Sequence, residues 1–176
     1  MGQAPSYSLK FPGLDGKLAL ITGASGTIGS AIAKMLGLSG AKIIVHYFRN
    51  FESARNLASE LERMGVEASV MGFDVSNFDQ VKSAFDKIAK MGGIDILVNN
   101  AGTTKDQLIA LMGKDLWLQT IDVNLNGAFY CLKFAARQMI RKKFGRIVNI
   151  VSVAGELGNF GQASYASSKA GLIALT

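Results

Sequence analysis

The chain has 176 residues, 49% hydrophobic and 18% charged, which suits one domain with a substantial core and excludes a disordered polyelectrolyte. Its net charge of +6 favours an acidic partner or a phosphorylated ligand, and no groove-reading motif or aromatic platform accompanies that charge to suggest nucleic acid. A single cysteine, Cys131, excludes an internal disulfide, no apolar run reaches the ~18 residues of a bilayer span, and the N-terminus lacks a basic-then-apolar signal, so the expectation is a soluble cytoplasmic protein with no membrane partner and no metal site.

Residues 1–14 hold both prolines and little periodicity, and read as an N-terminal tail; residues 15–176 read as one domain. Leu18-Ala-Leu-Ile-Thr22 is a short apolar strand, followed at once by Gly23-Ala-Ser25-Gly26-Thr27-Ile28-Gly29. The next helix carries Ile28, Ile32, Met35 and Leu36 on one face. A strand over Ala41–Val45, a helix from about Glu52 to Met64 and a strand over Ala68–Phe73 come next. A helix from about Phe78 to Met91 carries the apolar stripe Val81, Phe85 and Ile88. Ile94–Val98 is the fourth strand, Lys114–Lys142 one long helical stretch, and Arg146–Val151 the fifth strand. The segment from Gln162 to Thr176 is rich in Ala and Leu without proline, and reads as a last helix. Strands that are apolar runs, alternating with helices, predict a parallel sheet covered on both faces. The fold class is therefore α/β, a Rossmann-like doubly wound sheet in three α/β/α layers, with ligands at the carboxyl ends of the strands.

The glycines at 23, 26 and 29 sit in the first strand–helix turn, where backbone N–H groups and a helix N-terminus favour a pyrophosphate; a plain tight turn is the simpler alternative. An NAD site places an acid about 20 residues on, at the ribose 2′-OH. The second strand instead runs out through Val45-His46-Tyr47-Phe48-Arg49-Asn50, so Arg49 is available for a 2′-phosphate. NADP (NADPH) is the expected cofactor and NAD the less favoured one. His46 is read as structural, not as a cofactor contact.

Tyr165 and Lys169 are four residues apart, which puts them on one helix face, and Ser152 ends the fifth strand facing that helix. A phenol titrates near ~10, and a cation beside it favours the phenolate, so the trio suits proton transfer to a carbonyl being reduced. An ordinary exposed helix pair is the alternative from spacing alone.

Taken together these residues resemble the short-chain dehydrogenase/reductase family from about Gly16 onward. The landmarks are Thr22-Gly23 with the glycine loop, Asp74-Val75, Asn99-Asn100-Ala101-Gly102, Asn124, Ser152 and Tyr165-x-x-x-Lys169. Within the family the likeness is to 3-oxoacyl-acyl-carrier-protein reductases, carried by Arg146-Ile-Val-Asn-Ile150, by Gly158-Asn-Phe-Gly-Gln-Ala-Ser-Tyr165, by Lys169-Ala-Gly-Leu172 and by the region Thr103–Met112. The resemblance implies NADPH-dependent reduction of a 3-oxoacyl thioester in fatty acid biosynthesis; another ketone or secondary alcohol, or a non-catalytic nucleotide-binding fragment, are the alternatives. It implies that the loop Gly23, Ser25, Gly26, Thr27, Ile28 and Gly29 holds the pyrophosphate. Asp74 and Val75 then border the adenine, and Asn99, Ala101 and Gly102 lie beside the ribose. Asn124 holds a water that links Lys169 to solvent. Ser152 binds the carbonyl oxygen, Tyr165 donates the proton, and Lys169 holds the nicotinamide ribose and readies the phenol. Homo-oligomers built on the long helix and the Tyr165 helix, dimers or tetramers, are also implied.

Two departures accompany the resemblance. The family's usual loop puts its middle glycine at position 27, where this chain has Thr27, with the glycine at 26. Members also run on past the Tyr165 helix with further strands and a substrate-covering segment. The chain therefore reads as lacking the family's last strands, and Leu172, Ile173 and Leu175 are expected to be exposed. Arg137, Arg141, Lys142, Lys143 and Arg146 crowd the end of the long helix, either as a solvated cap that suits the helix dipole or as a dock for an acidic acyl carrier protein through Arg137 and Arg141. Leu157 and Phe160 suit a substrate pocket or core packing equally, while Met112, Trp117 and Cys131 read as packing residues.

Overall fold

A computed structural model describes residues 11–176; residues 1–10, most of the expected tail, lie outside the described residues. Five strands are joined in parallel in the order β3-β2-β1-β4-β5. They are β1 (Leu18–Ile21), β2 (Lys42–Tyr47), β3 (Ala68–Gly72), β4 (Ile96–Asn99) and β5 (Arg146–Asn149). The order reverses between β1 and β4, and that reversal opens a crevice at their carboxyl ends.

Helices α1 (Thr27–Leu38) and α2 (Phe51–Arg63) cover one face of the sheet, over a core of Ile21, Ile43, Val45, Leu57 and Leu61. Helices α3 (Phe78–Lys90) and α5 (Gly127–Lys142) cover the other, over Leu20, Ile44, Val81, Phe85, Ile88 and Leu97. The central strands are buried on both faces, which is why they read as apolar runs and not as alternating patterns. Asn50 and Asn77 cap α2 and α3 by accepting from Ser53 N and Gln80 N at 3.0 Å each.

At the far end of the sheet Asp95 fastens the start of β1. One carboxylate oxygen accepts from Leu18 N at 2.9 Å, and the other pairs with Lys142 Nζ at 2.6 Å. Lys142 also donates to Gly93 O, so this member of the basic cluster serves the fold.

Several elements differ from the sequence expectations. Helix α1 buries Gly29, Ala33 and Gly37, while Ile28 and Met35 stand 59% and 50% exposed. A Cβ on Gly37 would come within 2.6 Å of Val66, so the helix lies too close to its neighbours for a large residue on that side. Strand β2 runs two residues past Val45 because His46 and Tyr47 pair with Met71 and Gly72. The long helical stretch is interrupted: α4 (Lys114–Ile121) passes through a π turn over Asp122–Asn126 before α5 begins. Two short helical turns, Ile109–Leu111 and α6 (Ala154–Leu157), are too brief to leave a periodic signal. In the last helix, α7 (Ala163–Ala174), Leu172 is buried and Ile173 and Leu175 are half-buried, against the expected exposure, because α7 packs on α4, α6 and the π turn. Leu157 and Phe160 are 81% and 86% exposed, which removes the core reading for both, and Trp117 lies at the surface while Cys131 is fully buried.

Among the described residues no helix is long and apolar enough to cross a membrane, and no three His, Cys, Asp or Glu side chains converge as a metal site requires.

Candidate active site

The crevice between β1 and β4 is built by Thr22, the residue that leaves β1. Its hydroxyl donates to Val98 O at 3.3 Å and accepts from Asn100 N and Ala101 N at 2.9 and 3.0 Å. The Asn100 amide returns the tie by donating to Thr22 O and Gly23 O at 2.9 and 3.1 Å. These bonds lock the two strand ends on either side of the reversal. Asn100 is a structural residue of the site that the sequence signals only through its place in the Asn99-Asn100 doublet.

Two glycines have strict roles in the loop. Gly23 is left-handed at φ +63° with Ala101 Cα 3.0 Å from where a side chain would begin, and a Cβ on Gly29 would press on Gly23 O at 2.6 Å. At Gly26 a Cβ would meet only Gly23 O, at 3.4 Å, so its missing side chain clears space on the groove side. Gly23 N donates to His46 Nδ1 at 2.9 Å, and the other ring nitrogen lies 2.9 Å from Phe73 O. Nδ1 is therefore the acceptor, and the proton sits on Nε2, donated to Phe73 O. Burial pushes the His46 pKa down to about 4, only partly offset by Phe73 O and the Asp74 charge. A neutral His46 thus ties the glycine loop to the β3 end, a structural role with consequences for the groove.

The groove above this loop measures about 850 Å³. The glycine wall of Gly23, Ser25 and Gly26 lines it together with Arg49, Asp74, Val75, Ala101 and Gly102. A smaller hollow of about 290 Å³ continues over Thr27, Ile28 and Gly29. Arg49 stacks its guanidinium 4.8 Å from the Phe48 ring, which leaves its charge free of any carboxylate partner shorter than salt-bridge distance among the described residues. Asp74 is turned on its own loop, accepting from Ser76 N and Oγ at 2.9 and 2.7 Å. Asn99 is buried, outside the lining of this groove, and donates to Asn149 Oδ1 at 2.9 Å and Ala128 O at 3.4 Å. The size of the groove, the glycine wall cleared of side chains and the Arg49 cation in the lining fit a dinucleotide phosphate.

Lys169 and Tyr165 stand together on α7, and Lys169 reaches the loop that leaves β5 and carries Ser152. Lys169 Nζ donates to Ile150 O at 2.5 Å and stands 5.8 Å from the centre of the Tyr165 ring. The amine is buried, and desolvation lowers its pKa from the ordinary lysine value. Ser152 follows two residues after Ile150, and its Oγ accepts from Ala154 N at 3.2 Å. The approach is tight because residue 155 is glycine: a Cβ there would meet Ala170 N and Lys169 C at 2.8 Å. Below them the π turn aims Asn124 at the same helix. Fully buried, Asn124 accepts from Thr103 N at 2.8 Å and donates to Thr103 O at 2.9 Å and Ser168 Oγ at 3.0 Å. Ser168 Oγ in turn donates to Tyr165 O at 2.7 Å. The widened turn belongs to the site, as such turns often do.

Elsewhere, Arg137 and Arg141 are exposed at the end of α5, Arg137 with its guanidinium 5.8 Å from the Phe134 ring. Cys131 is no nucleophile: burial pushes its thiol up to about 12.

A family model described as short chain dehydrogenase matches residues 17–176. The chain is similar to a 3-oxoacyl-[acyl-carrier-protein] reductase of Synechocystis sp., 42% identical over 167 residues that cover 93% of this chain and 66% of the relative. It is similar to the 3-oxoacyl-[acyl-carrier-protein] reductase FabG of Staphylococcus aureus, 41% identical over 161 residues, 91% of this chain and 65% of the relative. Among solved structures it resembles a gluconate 5-dehydrogenase from Burkholderia cenocepacia in complex with NADP and tartrate, with a TM-score of 0.88 and 38% identity over 97% of this chain and 66% of that one. The chain thus spans just under two thirds of the length of these relatives.

Proposed function

The chain belongs to the short-chain dehydrogenase family, and from that premise we propose that it carries the cofactor groove and proton-transfer residues of a cytoplasmic, NADPH-dependent reductase of 3-oxoacyl thioesters borne on acyl carrier protein. The observation that carries the reading is the convergence of buried Lys169 on Tyr165, beside the loop of Ser152 and at the carboxyl end of the sheet that also holds the groove. Names of relatives at 41–42% identity support the substrate class.

In this reading the glycine wall and the α1 N-terminus hold the pyrophosphate, and Arg49 takes the 2′-phosphate. When bound, the reduced nicotinamide supplies a hydride to the substrate's carbonyl carbon. Ser152 holds the carbonyl oxygen through its hydroxyl, and Tyr165 gives that oxygen its proton. The Lys169 ammonium stabilises the phenolate left behind. The hydrogen bond from Lys169 to Ile150 O fixes where that charge stands. Asn124, held by Thr103 and Ser168, keeps α7 at a set distance from the groove floor. Arg137 and Arg141 form the dock for the acidic carrier, and the working form is a homo-oligomer, a dimer or tetramer.

The likeness to a gluconate 5-dehydrogenase favours a second reading, a reductase of an oxidised sugar acid at the same site. NADPH consumption with acetoacetyl carrier protein, compared with 5-ketogluconate and small ketones, separates the two. A kcat/KM at least about 100-fold higher for the carrier-bound thioester is expected, of which reversing the charges of Arg137 and Arg141 removes about tenfold or more. Preference for the sugar acid overturns the thioester reading, and a charge reversal without effect removes the dock.

A further inference from the structure

The loop after β4 is tied to α7 twice, and only the inner tie, through Asn124, belongs to the residues already given a role. The outer tie joins the exposed Asp106 to the half-buried Gln162, 56 positions apart. Gln162 Nε2 donates to Asp106 Oδ1 and Oδ2 at 3.1 and 3.0 Å. Both partners are oriented by further bonds: Thr104 Oγ1 donates to Asp106 Oδ1 at 2.8 Å, and Asn159 Nδ2 donates to Gln162 Oε1 at 3.0 Å. The backbones meet at the same place, where Gln107 N donates to Gly161 O at 2.7 Å. Gln162 is the residue that starts α7, and its backbone carbonyl accepts from Ala166 N at 2.7 Å. Its side chain caps nothing in that helix, so the amide is committed to Asp106. On the other side of the latch, Thr103 and Lys105 line the cofactor groove.

We propose that Asp106 and Gln162 are a positioning pair that sets the Tyr165 phenol relative to the cofactor groove, by fastening the groove-lining loop 103–107 to the first turn of α7. Neither residue touches the reacting atoms. A bond to a carboxylate is stronger than a neutral one, and it holds two elements whose separation decides how the phenol meets a carbonyl. The kinetic part of the proposal rests on the reductase reading; the mechanical part does not.

The experiment compares the full chain with Asp106→Ala, Gln162→Ala, the double variant and Asp106→Asn, by hydrogen exchange and steady-state kinetics. Asp106→Ala is expected to raise amide exchange in residues 163–166 about fivefold, although the substitution lies on another loop. Each single Ala variant lowers kcat about tenfold with KM for NADPH and for the carbonyl substrate held within about twofold. The double variant is no worse than either single, because the second substitution finds the bond already gone. Asp106→Asn keeps an oxygen that accepts from Gln162 and retains kcat within about threefold. Unchanged exchange at 163–166, or losses that multiply in the double variant, overturn the latch. A wild-type chain that binds NADPH but reduces no carbonyl overturns the reductase reading, and the exchange arm still decides the latch by itself.

Discussion

Acid should loosen this protein through His46. The native ring is neutral, with Nδ1 accepting from Gly23 N and Nε2–H donating to Phe73 O. Burial lowers its pKa from 6.5 to about 4, whereas the unfolded chain protonates the ring at its ordinary value. Between those two values the unfolded state binds more protons, so stability falls as pH falls. The full contribution is present above pH 6.5 and is lost as pH drops towards 4. A shift of this size is worth about 3 kcal/mol in all, and about 2 kcal/mol is already gone at pH 5. His46→Gln keeps a donor for Phe73 O but cannot titrate. Urea unfolding of the wild type and His46→Gln at several pH values from 7.5 to 4.5 isolates the effect, since the carboxylates common to both proteins cancel in the difference. The stability gap between the two should change by about 2 kcal/mol from pH 7.5 to 5, in the direction of a relatively weaker wild type in acid. Parallel curves would refute the reasoning, because a neutral buried ring cannot be silent over that range.

Two further outcomes follow from the groove and from the contact of α6 with α7. Arg49→Ala should weaken NADPH binding by about 10- to 100-fold, the worth of a charge-assisted contact to phosphate, while NADH binding changes by less than about twofold; fluorescence titration of both nucleotides decides, and equal weakening removes Arg49 from the 2′-phosphate. Gly155→Ala should cost about 1–3 kcal/mol of stability and most of the turnover, since the new methyl must displace the α7 backbone at Lys169 and Ala170. A variant of wild-type stability and rate would mean that the α6–α7 contact is looser than its geometry.

The sequence carried the parallel sheet because doubly buried strands such as β1 and β4 leave unbroken apolar runs that few other arrangements produce. It carried the glycine loop and the Tyr165–Lys169 face for a similar reason: the chemistry needs fixed residue types at fixed local spacing. It failed where tertiary contact overrode periodicity. Ile28 and Met35 sit at helical spacing yet face outward, because Gly37 draws the other side of α1 against Val66. The π turn that aims Asn124 adds one residue to a turn and leaves the helical pattern around it intact. The bond from Gly23 N to His46 Nδ1 joins residues 23 positions apart, and the Asp106–Gln162 tie spans 56. No local pattern encodes such pairings, and only the folded chain brings them together.

In the proposed reaction Tyr165 delivers the proton to a carbonyl beside a bound dinucleotide. Its most direct measurement is the single-turnover rate of NADPH oxidation with acetoacetyl carrier protein, for the chain and for Tyr165→Phe, with NADPH affinity determined separately for each. The variant is expected to be slower by about 10²–10⁴, with NADPH affinity within about twofold. A variant that turns over at the rate of the parent would contradict it.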